Sequence, residues 1–194
     1  MNSPENIIDS NASEQPSRKK KGSARSIETF YRNAYRTQLD LTGLADMKAN
    51  IMISINGLII TAIIATEGLL TFTQSYLKFL PVLLLVVTIL SMVFAILAAK
   101  PRVSNLHATE DEILNGDANL LYFNNFLQVT EDQYADAMSH TIEDADNVYR
   151  MMSKHIYSLG VVLSRKYYLL RISYAVFLSG IVLTGLLFVS RNFI

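Results

Sequence analysis

Hydrophobic residues gather along this chain in three runs, Ile51–Ala65, Phe79–Ala99 and Leu169–Val189, each with few or no charges. The second, FLPVLLLVVTILSMVFAILAA, has about the 20 residues that an α-helix needs to cross a bilayer core of roughly 30 Å. The third, LLRISYAVFLSGIVLTGLLFV, is as long, and its one charge, Arg171, lies near its start. The first is shorter and is flanked or interrupted by Asn50, Ser54 and Asn56. No buried helix of a soluble chain of 194 residues needs runs this long. The pattern therefore predicts an all-α integral membrane protein with about three transmembrane helices, at 49–66, 79–99 and 169–190.

Outside the runs the period is also helical. Ile27, Phe30, Tyr31, Ala34, Tyr35 and Leu39 recur at three- and four-residue spacing and share one face. They predict an amphipathic helix over 26–48 that runs into the first span, with Asp40–Gly43 as the place for a break. Thr66–Lys78 reads as a short turn, and Pro81 suits the first turn of the next helix, where a missing N–H costs little. Lys100–Pro101 stops that helix.

Residues 100–168 form the sizeable polar part between spans. Thr109–Glu112 and Thr130–Gln133 have capping-box spacing and mark two helix starts. The aromatic stretch Asn119–Phe126 between them fits either a strand or a short helix. Ile142, Ala145, Val148, Tyr149, Met152, Ile156, Leu159, Leu163 and Tyr167 then form an apolar stripe that meets the third span without a proline. This predicts one helix from about Ile142 to Val189, reaching ~40 Å beyond the membrane. Such a stalk needs a partner, and the 26–48 helix is the obvious one. The expected architecture is a cytosolic helical bundle standing on three membrane helices.

Composition agrees, with 51% hydrophobic and 18% charged residues and a net charge of +0, but the placement of charge adds an orientation. Eight of the 17 basic residues precede the first run, and six more lie between the second and third. Basic residues near helix ends favour the cytoplasm. The N-terminus and the 100–168 region are therefore expected inside, and the short tail after the third span outside. Residues 1–25 lack the apolar core of a cleavable signal and read as a disordered basic tail. Its Arg18–Lys21 cluster suits anionic lipid better than nucleic acid. The absence of cysteine excludes disulfides, thiolate catalysis and Cys-based zinc sites.

Several polar positions in and beside the runs invite chemistry. Asn50, Ser54, Gly57, Thr61 and Ala65 share one face of the first span. Small and polar residues let membrane helices approach closely, so helix contact is the commoner reading, and pore lining by assembled subunits is the functional one. Asn56 points away from that face and needs a second polar partner. Asp46 and Lys48 lie at the lipid boundary. Lys48 can snorkel to the headgroups, while Asp46 is expected to pair with Arg165, Lys166 or Arg171 and to offer a gating point. Ala175, Ser179, Gly180, Thr184 and Gly185 give ordinary small-residue packing in the third span. Arg165–Tyr168 reads first as the cationic and aromatic belt of a membrane surface. The acidic residues of 103–150 read as solvated faces and caps, and His107, His140 and His155 as scattered surface or helix residues. No nucleophile–base order, phosphate loop, metal-ligand spacing or cofactor motif appears, and an enzyme is not expected.

The join into the first span reads LADMKANIMISIN from Leu44 to Asn56. With Arg32–Asn33 it resembles the signature of the Pycsar transmembrane effector family. Further matches are Lys100–Pro101–Arg102, Asn119–Phe123, the Tyr134 helix, Tyr149–Arg150, Ile156–Gly160 and Leu163–Tyr167, so that the resemblance spans about Ser26 to Phe188. It implies a role in bacterial defence against phage. As the resemblance implies it, a partner nucleotidyl cyclase makes cCMP or cUMP, the effector damages the cell inner membrane, and the infected cell dies before phage mature. One departure is the lack of a β-roll nucleotide-binding domain or Gly-rich phosphate cassette. Direct sensing would then fall to the helical cytosolic part. Arg32, Arg36, Arg165 and Lys166 are candidates for a cyclic phosphate, and Tyr149 and Tyr157 for stacking on the base. Asp46, Lys48, Asn50, Ser54, Gly57 and Thr61 are candidates for gating in a homo-oligomer that contacts lipid and no nucleic acid. Topology and composition alone fit equally a structural or adaptor membrane protein, or a small channel subunit with a housekeeping role.

Overall fold

The computed structural model describes residues 23–70, 79–101, 109–114, 118–127 and 129–192. The expected basic tail up to residue 22, most of the turn before the second span, and His107 lie outside the described residues. Six helices occur in order: α1 (Ala24–Leu70), α2 (Phe79–Ala99), α3 (Glu110–Leu114), α4 (Phe123–Phe126), α5 (Glu131–Glu143) and α6 (Ala145–Asn192). Among the described residues there is no strand, and the Asn119–Phe126 stretch resolves into the short α4.

Three of these helices, α1, α2 and α6, are long and apolar enough to cross a membrane. α1 has 47 residues and α6 has 48, which at the α-helical rise is roughly 70 Å each. That is more than twice the ~30 Å of a bilayer core, so each has a membrane half and a projecting half. The protein is an all-α membrane protein. Low-numbered residues of α1 meet low-numbered residues of α6, and high meet high: Tyr31 with Tyr149, Tyr35 with His155, Asp46 with Lys166. The two long helices are therefore parallel. α2 returns between them, its end near Ala45 and Ala49 and its middle near Asn56.

Small residues make this packing possible. Ala45, Ala49 and Ala98 are buried together with Leu163 and Leu170, where the three helices meet at the start of the membrane half. A Cβ built on Gly180 of α6 would lie 2.7 Å from Cγ2 and 2.8 Å from Cβ of Val87, so α2 and α6 touch there through bare backbone. Larger apolar residues such as Leu58, Val86, Leu178 and Leu186 point outward. A hydrocarbon surround makes that exposure favourable, because lipid tails are as apolar as the side chains they meet.

The projecting part has its own core. Ile113, Ala118, Leu120, Ala137 and Met151 are buried together, with Val129, Tyr134 and Met138 packed against them. Thr130 starts α5 with a complete capping box: its Oγ1 accepts from Gln133 N at 3.3 Å, and Gln133 Oε1 accepts from Thr130 N at 2.9 Å. Thr109 and Glu112 make the same reciprocal pair before α3.

Two local expectations are corrected. α1 passes through Asp40–Gly43 without a break, since nothing crowds Gly43 and no proline interrupts the ladder. The last helix begins at Ala145, not Ile142. Asp144 leaves helical geometry at φ −116° and ψ 113°, and its Oδ1 accepts from Asp146 N at 3.0 Å, which caps the new helix. Ile142 consequently belongs to α5 and lies exposed, outside the stripe that packs on α1.

Candidate functional site

Three polar layers cross the α1–α6 pair, and each is set by the parallel register of the two helices. The outermost is aromatic. Tyr31 stacks on Tyr149 with centroids 5.2 Å apart, and its hydroxyl lies 2.8 Å from Ser153 Oγ. One turn on, the Tyr35 ring lies 5.6 Å from the ring of His155. Tyr35, Leu121, Met152, His155 and Ile156 line a half-open cavity of about 240 Å³. His155, expected as a scattered surface or helix residue, lies in α6 and is buried. Its environment fixes its proton. Leu121 N donates to Asn119 Oδ1 at 3.1 Å, which turns the Asn119 amide so that Nδ2 faces His155 Nδ1 at 3.1 Å. An amide nitrogen only donates, so Nδ1 accepts and the ring is neutral with its hydrogen on Nε2. Burial pushes the imidazole pKa below its ordinary value in the same direction.

The second layer lies where the apolar runs begin. The Lys166 ammonium donates to Asp46 Oδ1 and forms an ion pair across α1 and α6. The lysine side chain is 10% exposed and the aspartate 41%, so the cation is the enclosed partner. Of the three cations named for Asp46 from the sequence, Lys166 is the one that meets it; Arg165 and Arg171 face outward. Lys48 lies nearby with Nζ 5.7 Å from the centroid of Tyr167, a cation–π contact that leaves the ammonium exposed.

The third layer is inside the membrane half. Asn56 is fully buried, and its Nδ2 donates to Met52 O at 2.8 Å and to Ser91 Oγ at 3.1 Å. This is the second polar partner that its position off the Asn50 face requires. Ser91 Oγ donates to Ser173 O at 3.0 Å and Ser173 Oγ donates to Ser91 O at 2.8 Å, so one polar residue from each span meets at one level. Thr88, also buried, spends its hydroxyl on Leu84 O and Leu85 O of its own helix.

The other candidates fall outside these layers. Arg32 pairs with Glu28 on the exposed face of α1, and Arg36 is exposed. Tyr149 is half-buried under Tyr31, whereas Tyr157 is 75% exposed and points elsewhere. Arg32, Arg36, Tyr149, Tyr157, Arg165 and Lys166 are thus spread along the two helices, and Lys166 is already committed to Asp46. Asn50, Ser54 and Thr61 are exposed on the outer side of α1 and Gly57 is half-exposed; Thr61 Oγ1 donates to Gly57 O at 2.9 Å. Asn50, Ser54 and Thr61 therefore look away from the three-helix core, while Gly57 borders Met92 of α2. Sequence reasoning passes over His155, Ser91 and Ser173. The available signal for the two serines is that each is a polar residue inside an apolar run, Ser91 close to Thr88 and Ser173 ahead of Ser179 and Thr184.

Fold and layers together define a three-span helical membrane protein whose first and last helices form a parallel stalk continuous with their spans. The chain belongs to the Pycsar effector family: the Pycsar effector protein domain matches residues 30–191, which include all three layers. It is accordingly a Pycsar effector, a component of anti-phage defence. No curated protein and no solved structure matches the chain.

Proposed function

We propose that this protein is the membrane-acting effector of an abortive-infection system. A cyclic pyrimidine mononucleotide, cCMP or cUMP, made by a linked nucleotidyl cyclase, activates it. The activated protein impairs the integrity of the inner membrane and kills the infected cell. It acts as a ligand-gated membrane element and not as an enzyme. The N-terminus and the 100–168 region face the cytoplasm, in keeping with the basic residues that flank them. The exposed Asn50–Ser54–Gly57–Thr61 face supports assembly of several copies, since polar groups turned toward lipid gain most from a second helix.

The observation that carries this reading is the unbroken α1–α6 pair. The same number of residues separates Tyr35 from Asp46 and His155 from Lys166, about 16 Å of helix in each case. A ligand that wedges or clamps the cavity between Tyr35 and His155 therefore acts on both helices at once, above an ion pair that joins the same helices and a buried polar cluster that links them through Ser91 of α2. The Tyr35 and His155 rings offer faces for a base, and Arg36 and Lys154 are exposed cations one residue away from them along each helix.

Cells carrying the protein alone should keep a normal membrane potential. Co-production of a cyclase that makes cCMP or cUMP should depolarise them within one generation, as read with a potential-sensitive dye. Unchanged polarisation with both nucleotides present at saturating levels contradicts a gated effector.

A further inference from the structure

Within the membrane half, all three helices pack together, but side-chain hydrogen bonds tie α2 to α6 more than they tie α1 to either. Ser91 and Ser173 exchange two hydrogen bonds, each hydroxyl donating to the other residue's carbonyl. A few turns away the bare backbone at Gly180 receives Val87. Among the described residues, a single side-chain hydrogen bond joins α1 to this pair within the spans, Asn56 Nδ2 to Ser91 Oγ.

That joint is also incomplete. Both amide hydrogens of Asn56 are used, yet its Oδ1 is buried and accepts nothing. Turning the amide over would only set Oδ1 against Met52 O, oxygen against oxygen. The hydroxyl hydrogens of Ser91, Ser173 and Thr88 are committed to backbone carbonyls. Backbone N–H groups of the surrounding helices are engaged in their own ladders. In hydrocarbon a free acceptor finds no solvent. What Asn56 Oδ1 calls for is a small neutral hydrogen-bond donor, and water is the smallest that a buried polar site can take up.

We propose that the Asn56–Ser91–Ser173 cluster is a water-binding site inside the membrane bundle, and that it becomes the hydrated path of the activated protein when α1 moves off the α2–α6 pair. The path then runs within each chain, lined by Asn56, Thr88, Ser91 and Ser173, and not along the outward stripe of Asn50, Ser54 and Thr61. The second half of this proposal rests on the gated-effector reading above. The first half does not.

The chain contains no cysteine, so one introduced thiol is a unique probe in the full-length protein. Ser173→Cys is placed in liposomes loaded with a fluorescent dye and exposed to a charged, membrane-impermeant thiol reagent, with and without cCMP or cUMP. Labelling should rise ~10-fold or more with the activating nucleotide, as expected when a minor open state becomes dominant. Leu178→Cys, on the lipid-facing side, should stay unlabelled throughout. If Ser173→Cys does not insert, Thr88→Cys gives the equivalent reading from α2. Dye leakage without labelling at either position, or with labelling at Ser54→Cys instead, overturns the internal path and leaves the gated-effector reading intact. If no nucleotide causes leakage, that reading fails, and the resting wild-type protein decides the water site. Magnetisation transfer from water to the Asn56 side-chain amide in bilayers supports it, and a dry amide overturns it.

Discussion

Gly180→Leu is expected to separate α2 from α6 and to cost about 3 kcal/mol or more of folded-state stability, the upper end of what overpacking produces. A single added Cβ already meets both Val87 methyls and Val87 Cβ at distances no real contact tolerates. Two of these atoms lie at the end of a side chain, but the third is fixed to the α2 backbone, so rotation alone cannot make room. The helices must move apart. Doing so also pulls on the Ser91–Ser173 hydrogen bonds, two turns away on α6. Insertion into the membrane should be unimpaired, since leucine at a helix centre is favourable by a few tenths of a kcal/mol. The expected result is thus a protein that reaches the membrane in normal amount but unfolds at much lower temperature in detergent. Gly185→Leu is the matched control: nothing lies within 4 Å of the Cβ it would add, and its stability should stay near wild type. Gly57→Ala should also stay near wild type, because its Cβ would meet only the flexible Met92 Cε, at 3.5 Å, an ordinary contact distance. Equal melting temperatures for Gly180→Leu and Gly185→Leu would show that the close α2–α6 approach is not formed.

Asp46→Ala is expected to cost about 1–2 kcal/mol, because it leaves the enclosed Lys166 ammonium without its counter-charge at a site partly open to solvent. Lys166→Met should cost much less. It replaces the long lysine stem with an apolar chain of similar reach, and the stranded Asp46 carboxylate is partly open to solvent. The double variant should recover most of what Asp46→Ala loses, since it removes the stranded ammonium of this half-buried pair together with its partner. A double-mutant cycle on thermal unfolding gives the coupling directly. The same variants bear on activation. With the α1–α6 tie removed, the double variant should need less nucleotide for half-maximal depolarisation than wild type. Additive costs in the cycle would mean that the ion pair does not hold the helices together.

Much of this architecture is legible from local patterns whose physics is short-range. The three spans come from uninterrupted hydrophobicity, the starts of α3 and α5 from capping spacing at Thr109 and Thr130, and the need of Asp46 and Asn56 for partners from the cost of lone polar groups at a membrane. The illegible part depends on which residues of distant segments come face to face. His155 is polar, so a search for an apolar stripe along α6 passes over it, and Lys166 is one of three cations that the sequence offers to Asp46, although both are buried. Phe30 and Leu39, apolar and in register with the stripe of α1, are instead exposed, while Gln38 and Thr42 turn partly inward. Gly180 sits among several small residues of the third span that look equivalent in sequence. Only its position opposite Val87 distinguishes it from Gly185. Hydrophobic periodicity puts the start of α6 too early because Ile142 continues the period, whereas Asp144 breaks the backbone ladder and caps the helix that begins at Ala145.

The central claim, that a cyclic pyrimidine nucleotide opens this protein and the opened protein breaches the membrane, is tested most directly with purified components. Full-length protein is reconstituted in liposomes that contain a self-quenched dye, and cCMP, cUMP, cAMP or cGMP is added in turn. The account predicts rapid dye release with cCMP or cUMP, no release with the purine nucleotides, and no release from protein-free liposomes. Intact liposomes after addition of both pyrimidine nucleotides, with protein shown to be folded and inserted, would contradict it.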